Sequence, residues 1–360
     1  MIRNIWIGSL LLLLTLPLAA QKQNEQLRVV HSDRLALSKA NNEQVMELSG
    51  KVHFWYGQTE FKSDRALIFD TQKIARLDGN VRVNNDSLAL TADSLAYYRI
   101  PDELNAGGRV FINERKTGGG FSWLRSEYAI YRKGENNITA WRNVSAYDSD
   151  ENASASCGYA FWDRRNGYAY MVEDPVLRTA RQDTLEVRAD KIEFFDAESK
   201  IVATFNVLAQ TPDYSASSDF LLYFLEEDKA VFTGQPLFRS ELADASARGF
   251  YLLLKDRKLT RAELVDSCRV EFAEQRGAIK TNWVQASFIT LDFEQDALRG
   301  FHAEQAVDYF YSQEEDSERD YLVNHARGGI LDALFGLDNK LEQMIMREGI
   351  NGVYRFRERS

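Results

Sequence analysis

Acidic residues recur along this sequence at multiples of about 30 residues, and this spacing could bring their carboxylates into register. Ca²⁺ prefers several oxygen ligands, so a column of stacked aspartates is one way to build a calcium site. Aspartate side chains also accept hydrogen bonds from nearby donors and so cap turns, which is the simpler explanation. The sequence therefore favours turn capping and predicts no metal. The recurring acids are Asp33, Asp64, Asp93, Asp190 and Asp219.

The histidines are too scattered to form a recognisable catalytic or metal site. His31, His53, His302 and His325 show neither the HExxH spacing nor another paired-ligand spacing, so we expect surface or strand histidines. The sequence contains no glycine-rich phosphate loop and no nucleophile elbow. With 54 acidic residues, a carboxylate pair of the glycosidase type stays open as an alternative. The prediction is a protein that is not an enzyme and has no cofactor.

A self-similar repeat positions these side chains. In its clearest copy, residues 63–83, apolar residues alternate with polar ones on both sides of a polar turn at 70–73. Alternation of period two around a turn indicates two β-strands. Self-similarity at a fixed period is typical of stacked folds, so we expect an all-β stack of about ten antiparallel strand pairs. The copies begin at dipeptides that we call anchors: 32–33, 63–64, 92–93, 126–127, 157–158, 189–190, 218–219, 248–249, 286–287 and 325–326.

The repeat also predicts which side chains point inward. The positions two and four places after each of the first nine anchors are apolar or aromatic, whereas the position between them tolerates charge, as at Glu193. Because successive strand side chains face opposite ways, the first two columns are expected to line an interior. The closing strand of each copy is expected to supply the opposite wall.

Cys157 and Cys268 are the two thiols of the sequence. They fall in copies three units apart, and strands about 4.8 Å apart would separate them by roughly 14 Å. A disulfide needs Cα atoms within about 7 Å, so we predict no bond between them.

The ends of the chain and its charge bound the class of protein. Residues 1–20 carry one basic residue, an apolar run and small residues at 19–20, a layout typical of a cleaved secretory signal peptide. The formal net charge of −10 argues against nucleic acid as a partner. We expect an exported protein with a β-repeat domain at 27–310 and a divergent terminal repeat at 324–356, which an acidic run at 313–320 precedes.

The repeats in residues 27–112, with SDRALIFD…ARLDGNVRV and ADSLAYYR…GGRVFI, resemble the OstA-like family of lipopolysaccharide transport, which includes LptA proteins and the N-terminal domains of LptD proteins. This resemblance implies a β-jellyroll, or β-taco, in the periplasm, associated with the outer membrane. It also implies an apolar trough that carries the acyl chains of lipopolysaccharide. The lining residues expected on this basis are Leu37, Phe54, Ile68, Val81, Val83, Leu95, Tyr97, Val110, Ile112, Tyr131, Trp162, Phe194, Tyr223, Leu253 and Leu291.

Partners follow from the same expectations. Lipopolysaccharide would occupy the trough, and open sheet edges would accept strands from other Lpt-type components or from a second copy of this chain. Capping of the last edge by the tail is an equal alternative. Two other functions stay open: a structural or adhesive β-solenoid with a sealed core, and a polysaccharide-acting β-helix with acids and aromatics facing solvent on one wall.

Overall fold

The described chain is almost entirely β-strand. The computed structural model describes residues 26–40, 42–85, 88–116, 118–180, 184–255, 258–273, 279–294, 297–314, 321–336 and 341–357. Its strands, β1 to β26, are Leu27–His31, Arg34–Ala40, Glu43–Tyr56, Thr59–Phe69, Ile74–Asn84, Leu88–Tyr98, Glu103–Arg115, Phe121–Arg132, Asn137–Asp148, Ala153–Asp163, Tyr168–Val172, Val176–Ala180, Thr184–Arg188, Lys191–Phe195, Lys200–Gln210, Tyr214–Phe224, Lys229–Thr233, Leu237–Ser240, Ala243–Ser246, Gly249–Lys255, Lys258–Phe272, Asn282–Glu294, Ala297–Glu314, Tyr321–Phe335, Leu341–Arg347 and Asn351–Arg357. The all-β fold predicted from the sequence is confirmed.

Two compact units divide the described chain. Unit 1 contains the described residues up to 180 together with 191–197, and unit 2 contains 184–190 and the described residues from 198 onward. Among the described residues, no helix is long and apolar enough to span a membrane. The predicted signal peptide at 1–20 and most of the acidic run at 313–320 lie outside the described residues.

Antiparallel pairing runs in chain order within each unit. In unit 1, every strand from β3 to β10 pairs with the next one, and β11 and β12 pair with the two halves of β10. In unit 2, β15 pairs with β16, and β21 to β24 pair in sequence. β25 and β26 pair with the two halves of β24. Each long strand, or pair of short ones, therefore spans both walls of its unit.

A corner divides each long strand into two halves. The pairing register shifts between Asp78 and Val81, where Gly79 and Asn80 have φ angles of +76° and +46°. Two consecutive left-handed residues bulge and bend a strand, so the chain turns from one wall to the other. We call the halves on the side of the 70–73 turn wall A and the other halves wall B. The described residues contain ten such pairs: Gly50/Lys51, Gly79/Asn80, Gly108/Arg109, Arg142/Asn143, Glu173/Asp174, Phe205/Asn206, Gly234/Gln235, Asp266/Ser267, Gln305/Ala306 and Glu348/Gly349.

Nine of the ten anchors lie at these corners, either within a strand, as at 63–64, or between two short strands, as at 189–190. The tenth, at 325–326, pairs with Phe310 and Tyr309, and the corner of its strand is at 328–329. The sequence placed the start of a strand at Ser63, whereas β4 begins at Thr59. The strand begins earlier because its pairing with the neighbouring strand continues on both sides of the bend. At the bend itself Ser63 is buried, and its hydroxyl donates a hydrogen bond of 2.9 Å to the Arg65 carbonyl. The turn predicted at 70–73 is confirmed between β4 and β5.

Anchor acids cap the corners of the neighbouring strands. Asn80 donates a hydrogen bond of 2.8 Å to Asp64, and Asn206 donates one of 3.0 Å to Asp190. Arg109 donates a hydrogen bond of 2.9 Å to Asp93 and thereby lowers the pKa of that carboxyl. The predicted turn capping is confirmed for these three acids. Among the described residues, no cluster of His, Cys, Asp and Glu could hold a metal ion.

Substitution of a corner glycine should destabilise the stack. A Cβ atom at position 79 would lie 2.4 Å from Asp64 Oδ2, and the positive φ angle adds backbone strain. We expect Gly79→Ala to lower the free energy of unfolding of the surrounding strands by about 1–3 kcal/mol in urea unfolding. Gly118→Ala is the control, because a Cβ there has nothing within 4 Å. Equal losses in the two variants would contradict the assigned corner geometry.

Candidate lipid-binding groove

The inward columns of the N-terminal strands are almost fully buried. Phe54, Val81 and Val110 are each 1% exposed, although they come from three different strands. The predicted inward orientation of these columns is confirmed, whereas their contact with lipid stays a prediction. The expected lining residues that are buried here are Phe54, Ile68, Val81, Val83, Leu95, Tyr97, Val110 and Ile112.

Aromatic side chains fill the interior between the walls at this end of unit 1. The rings of Phe54 and Phe61 stack with their centroids 5.0 Å apart. Tyr97, from wall A, lies 5.5 Å from Phe61 and 5.7 Å from Tyr56, both on wall B. The pocket that Phe54, Ile68 and Tyr97 help to line has no room for a water molecule. In this conformation the N-terminal interior is occupied by the protein's own side chains.

The interior becomes more accessible from β8 onward. The residues two places after the anchors are buried at Ala129, Ile192, Leu221 and Ile289 and half-buried at Ala160. The residues four places after the anchors are only half-buried. These are Tyr131, Trp162 and Phe194 in unit 1, and Tyr223 and Leu291 in unit 2. The first set lies nearer the corners and the second set nearer the turns. The interior of each unit is therefore closed by buried apolar residues at the corners, which we call the floor, and partly exposed near the turns, which we call the mouth.

The inward position predicted for Leu253 is wrong: Phe250 and Leu252 pair with the buried Phe232 and Ala230, so Leu253 lies on the outer face of its strand. The corner of this strand is at Arg248, one residue before the position assumed, and a shift of one residue exchanges the two faces of a strand.

Leu37 differs from the other expected lining residues. The sequence places it in the interior, but its side chain is 59% exposed, and that of Leu35 is 50% exposed. Both lie on β2, which pairs with β3 near the start of the described stack. Burial of a strand face needs neighbours across the interior, and the first strand has fewer of them than the later strands. A role for Leu37 in lipid contact stays a prediction.

An ion pair joins the two walls at the mouth of unit 1. Glu114 is the last but one residue of β7, on wall B, and Arg164 follows wall A of β10, yet Arg164 Nη2 lies 2.6 Å from Glu114 Oε1. Their side chains are only 17% and 19% exposed. The guanidinium also lies 5.0 Å from the ring of Trp162. Burial raises the pKa of the neighbouring Tyr131, although Arg164 and Lys133 act in the opposite direction.

A second charged group lines the same rim on wall B. Burial alone would lower the pKa of Lys116, but hydrogen bonds from its ammonium group to Asp148 and Asp150 outweigh this effect and raise it. The distances to these two carboxylates are 2.7 Å and 2.9 Å. The mouth of unit 1 thus combines apolar rings with charged side chains at its border.

The two thiols are buried. Cys157 and Cys268 are both free, and each is buried within its own unit. Burial raises the pKa of each thiol to about 11. Reactive cysteines have thiolate character near neutral pH, so these two have the character of core residues.

A second set of aromatic residues, not predicted from the sequence, faces outward. Tyr128, Trp141 and Tyr159 lie on neighbouring strands of wall A, with their sequence neighbours Ala129 and Ala140 buried on the inner side. The signal that could have found them is the column one place after each anchor. That column holds Tyr128 and Tyr159 in the fourth and fifth copies.

The geometry defines an all-β repeat protein with an apolar interior between two walls. Comparison with protein families adds an identification for its N-terminal part: residues 24–118 match the family model described as OstA-like protein. This range contains β1 to β7. The resemblance predicted from the sequence for residues 27–112 is therefore confirmed, and the N-terminal strands form an OstA-like segment.

Known proteins and structures were also compared with the whole chain. No curated protein sequence matches it. Among solved structures it is similar to LptH from Pseudomonas aeruginosa, described as the LptA-homologous periplasmic component of the lipopolysaccharide transport device. The identity is 12%, the TM-score is 0.14, and the match covers 46% of this chain and 76% of LptH.

Proposed function

We propose that this protein is a periplasmic carrier of lipopolysaccharide, which holds the acyl chains in the groove between walls A and B and passes them toward the outer membrane. The observation that carries the proposal is the set of inward apolar residues within each unit, with a buried floor and a half-exposed mouth. The OstA-like segment supports the identity of the cargo. Such transport requires neither an enzymatic reaction nor a cofactor of its own.

The energetics of the groove are compatible with lipid exchange. Burial of an alkyl chain is favourable by about 0.8 kcal/mol for each methylene group. In the N-terminal strands an acyl chain would have to displace packed rings such as Tyr97, which opposes entry there. At Phe194 and Leu291 the mouth is already partly exposed, so entry needs less rearrangement. We therefore expect lipid contact to be strongest from β8 onward.

The last strands provide a surface for partner strands. Ile345, Ile350, Val353 and Tyr354 lie in or beside β25 and β26, and 41–60% of each side chain is exposed. Exposed apolar side chains at a strand edge favour the addition of another strand. We propose that this edge joins another transport component or a second copy of the chain.

Photocrosslinking in cells tests the proposal through pairs of adjacent positions. A crosslinking residue at Phe194 or Leu291 faces the interior, whereas one at the neighbouring Glu193 or Thr290 faces outward. We expect lipopolysaccharide adducts at the two inward positions and none at the two outward positions. A further variant at Val353 reports on the edge, where protein adducts are expected. The absence of lipid adducts at both inward positions in an exported, folded protein would contradict the lipid-carrier function.

A sealed structural solenoid is the second candidate function. Its supporting observation is the N-terminal interior, where the packed rings leave no room for water. A solenoid of this kind predicts no lipid adduct at any inward position, including those at the partly exposed mouth. The same crosslinking experiment therefore distinguishes the two functions.

A further inference from the structure

A pocket of about 450 Å³ lies on the outer face of unit 1, away from the groove. Its walls are Trp141 and Tyr159, with Thr139, Arg142 and Glu173 around them. Small-molecule sites in proteins have volumes of about 300–1,000 Å³ and combine apolar walls with a few polar groups. The pocket therefore has the size and the composition of a ligand site.

Strand pairing places a third aromatic ring beside this pocket. Tyr128 pairs with Trp141, and Trp141 pairs with Tyr159, so the three rings come from adjacent strands. The rings of Tyr128 and Trp141 stack 5.5 Å apart with an interplanar angle of 17°. Because these two rings are stacked, Tyr128 covers one face of Trp141, and Trp141 and Tyr159 are the rings that border the pocket. Large aromatic side chains grouped on an outer sheet face are a mark of a binding surface.

Charged groups border the rings at the corner of the wall. Arg142 and Glu173 are both corner residues with left-handed backbone, and both are exposed. The guanidinium of Arg142 lies 5.4 Å from the ring of Tyr128. The site thus offers hydrogen-bond donors from Arg142, acceptors from Glu173 and a hydroxyl from Thr139 around flat apolar surfaces.

We propose that this surface binds a linear polysaccharide through its pyranose rings. A sugar ring has an apolar face of C–H groups and a rim of hydroxyls. The electron-rich faces of Trp141 and Tyr159 attract C–H groups, and the bordering polar side chains match the hydroxyl rim. Few other ligands present both features in one flat ring.

The polysaccharide is separate from the lipid cargo. Trp141 and Tyr159 point outward, whereas their neighbours Ala140 and Ala160 are on the inner side of the same strands. A sugar attached to a lipid in the groove would therefore lie on the opposite side of wall A. The site does not depend on the proposed carrier function, because it shares no residue with the groove.

Titration calorimetry with the full chain tests the site. The probes are cellotetraose, chitotetraose and the deacylated core oligosaccharide of lipopolysaccharide. We expect one of the two linear tetrasaccharides to bind, and Trp141→Ala to weaken its binding about tenfold. Trp123→Ala is the matched control, because Trp123 is also half-buried but lies on the outer face of wall B. Arg142→Ala is a second variant at an exposed position and should weaken binding without loss of fold.

The outcomes are distinct. Binding of a linear tetrasaccharide that is sensitive to Trp141→Ala and Arg142→Ala but insensitive to Trp123→Ala supports the proposal. The proposal is overturned if neither tetrasaccharide binds, if only the core oligosaccharide binds, or if Trp123→Ala weakens binding as much as Trp141→Ala. Thermal unfolding of each variant shows whether a loss of binding comes from a loss of fold. The crosslinking at Phe194 tests the groove separately.

Discussion

Phe54→Ala is expected to lower the free energy of unfolding of the N-terminal strands by about 3–5 kcal/mol. Phe54 is 1% exposed, and its ring stacks on Phe61 in an interior with no room for water. Removal of the ring forfeits its transfer free energy and leaves a cavity that rigid neighbouring strands cannot collapse. In a repeat stack each unit contacts only its neighbours, so the loss should be concentrated near β3 to β6.

Native-state hydrogen exchange measures this effect strand by strand. Amides of β3 to β6 should lose protection in Phe54→Ala, whereas those of β22 to β24 should keep it. Ile100→Ala is the control, because Ile100 is 80% exposed and its truncation should change stability by less than about 0.5 kcal/mol. A small effect of Phe54→Ala, similar to that of the control, would mean that the interior is loosely filled and already open to lipid.

Much of the fold could be predicted from the sequence because the local rules repeat. Period-two alternation and the polar turns give strands, as with β4 and β5 around residues 70–73. Nine of the ten anchors lie beside a left-handed corner, since each corner needs a residue that tolerates positive φ and a capping partner such as Asp64. The tenth anchor, at 325–326, was placed wrongly, because the residue that bonds to the corner at Glu348 is Gly329. The bend itself was not predicted. A bulge adds a residue without interrupting the apolar pattern, so Ser63 looked like the start of a strand.

Less of the candidate site could be predicted. Alternation identifies the side on which Tyr97 and Phe194 lie, but their exposure depends on the separation of the walls, which no local pattern encodes. The contact between Glu114 and Arg164 joins residues 50 positions apart across that separation. The outward position of Tyr128 and Trp141 was not predicted, because apolar and aromatic residues were assumed to lie in the interior. A sheet has two faces, and such residues can lie on either.

The ion pair between Glu114 and Arg164 should control access to the mouth of unit 1. It connects wall B to wall A beside Tyr131 and Trp162, and it is the kind of short, partly buried, charge-assisted contact that contributes about 1.5–3 kcal/mol. Glu114→Gln keeps the shape of the side chain and removes the charge. Because 1.4 kcal/mol corresponds to a factor of ten, the open form of the mouth should become at least about tenfold more populated.

Thiol labelling at position 131 measures this opening. In Tyr131→Cys, maleimide labelling at neutral pH reports on the mouth, since the native Cys157 and Cys268 are buried with thiol pKa values of about 11. Glu114→Gln should accelerate labelling about tenfold. High salt should accelerate it in the parent and have little further effect in the variant, because salt screens the ion pair.

The matched control is Asp93→Asn, which removes a different ion pair. Asp93 and Arg109 meet at a corner, where their side chains are 44% and 84% exposed, far from any opening between the walls. This variant should leave the labelling rate at position 131 unchanged. If it accelerates labelling as much as Glu114→Gln does, the effect reflects general loosening of unit 1. If neither variant accelerates labelling, the walls are held together by their apolar packing, and lipid must enter by displacing rings such as Trp162.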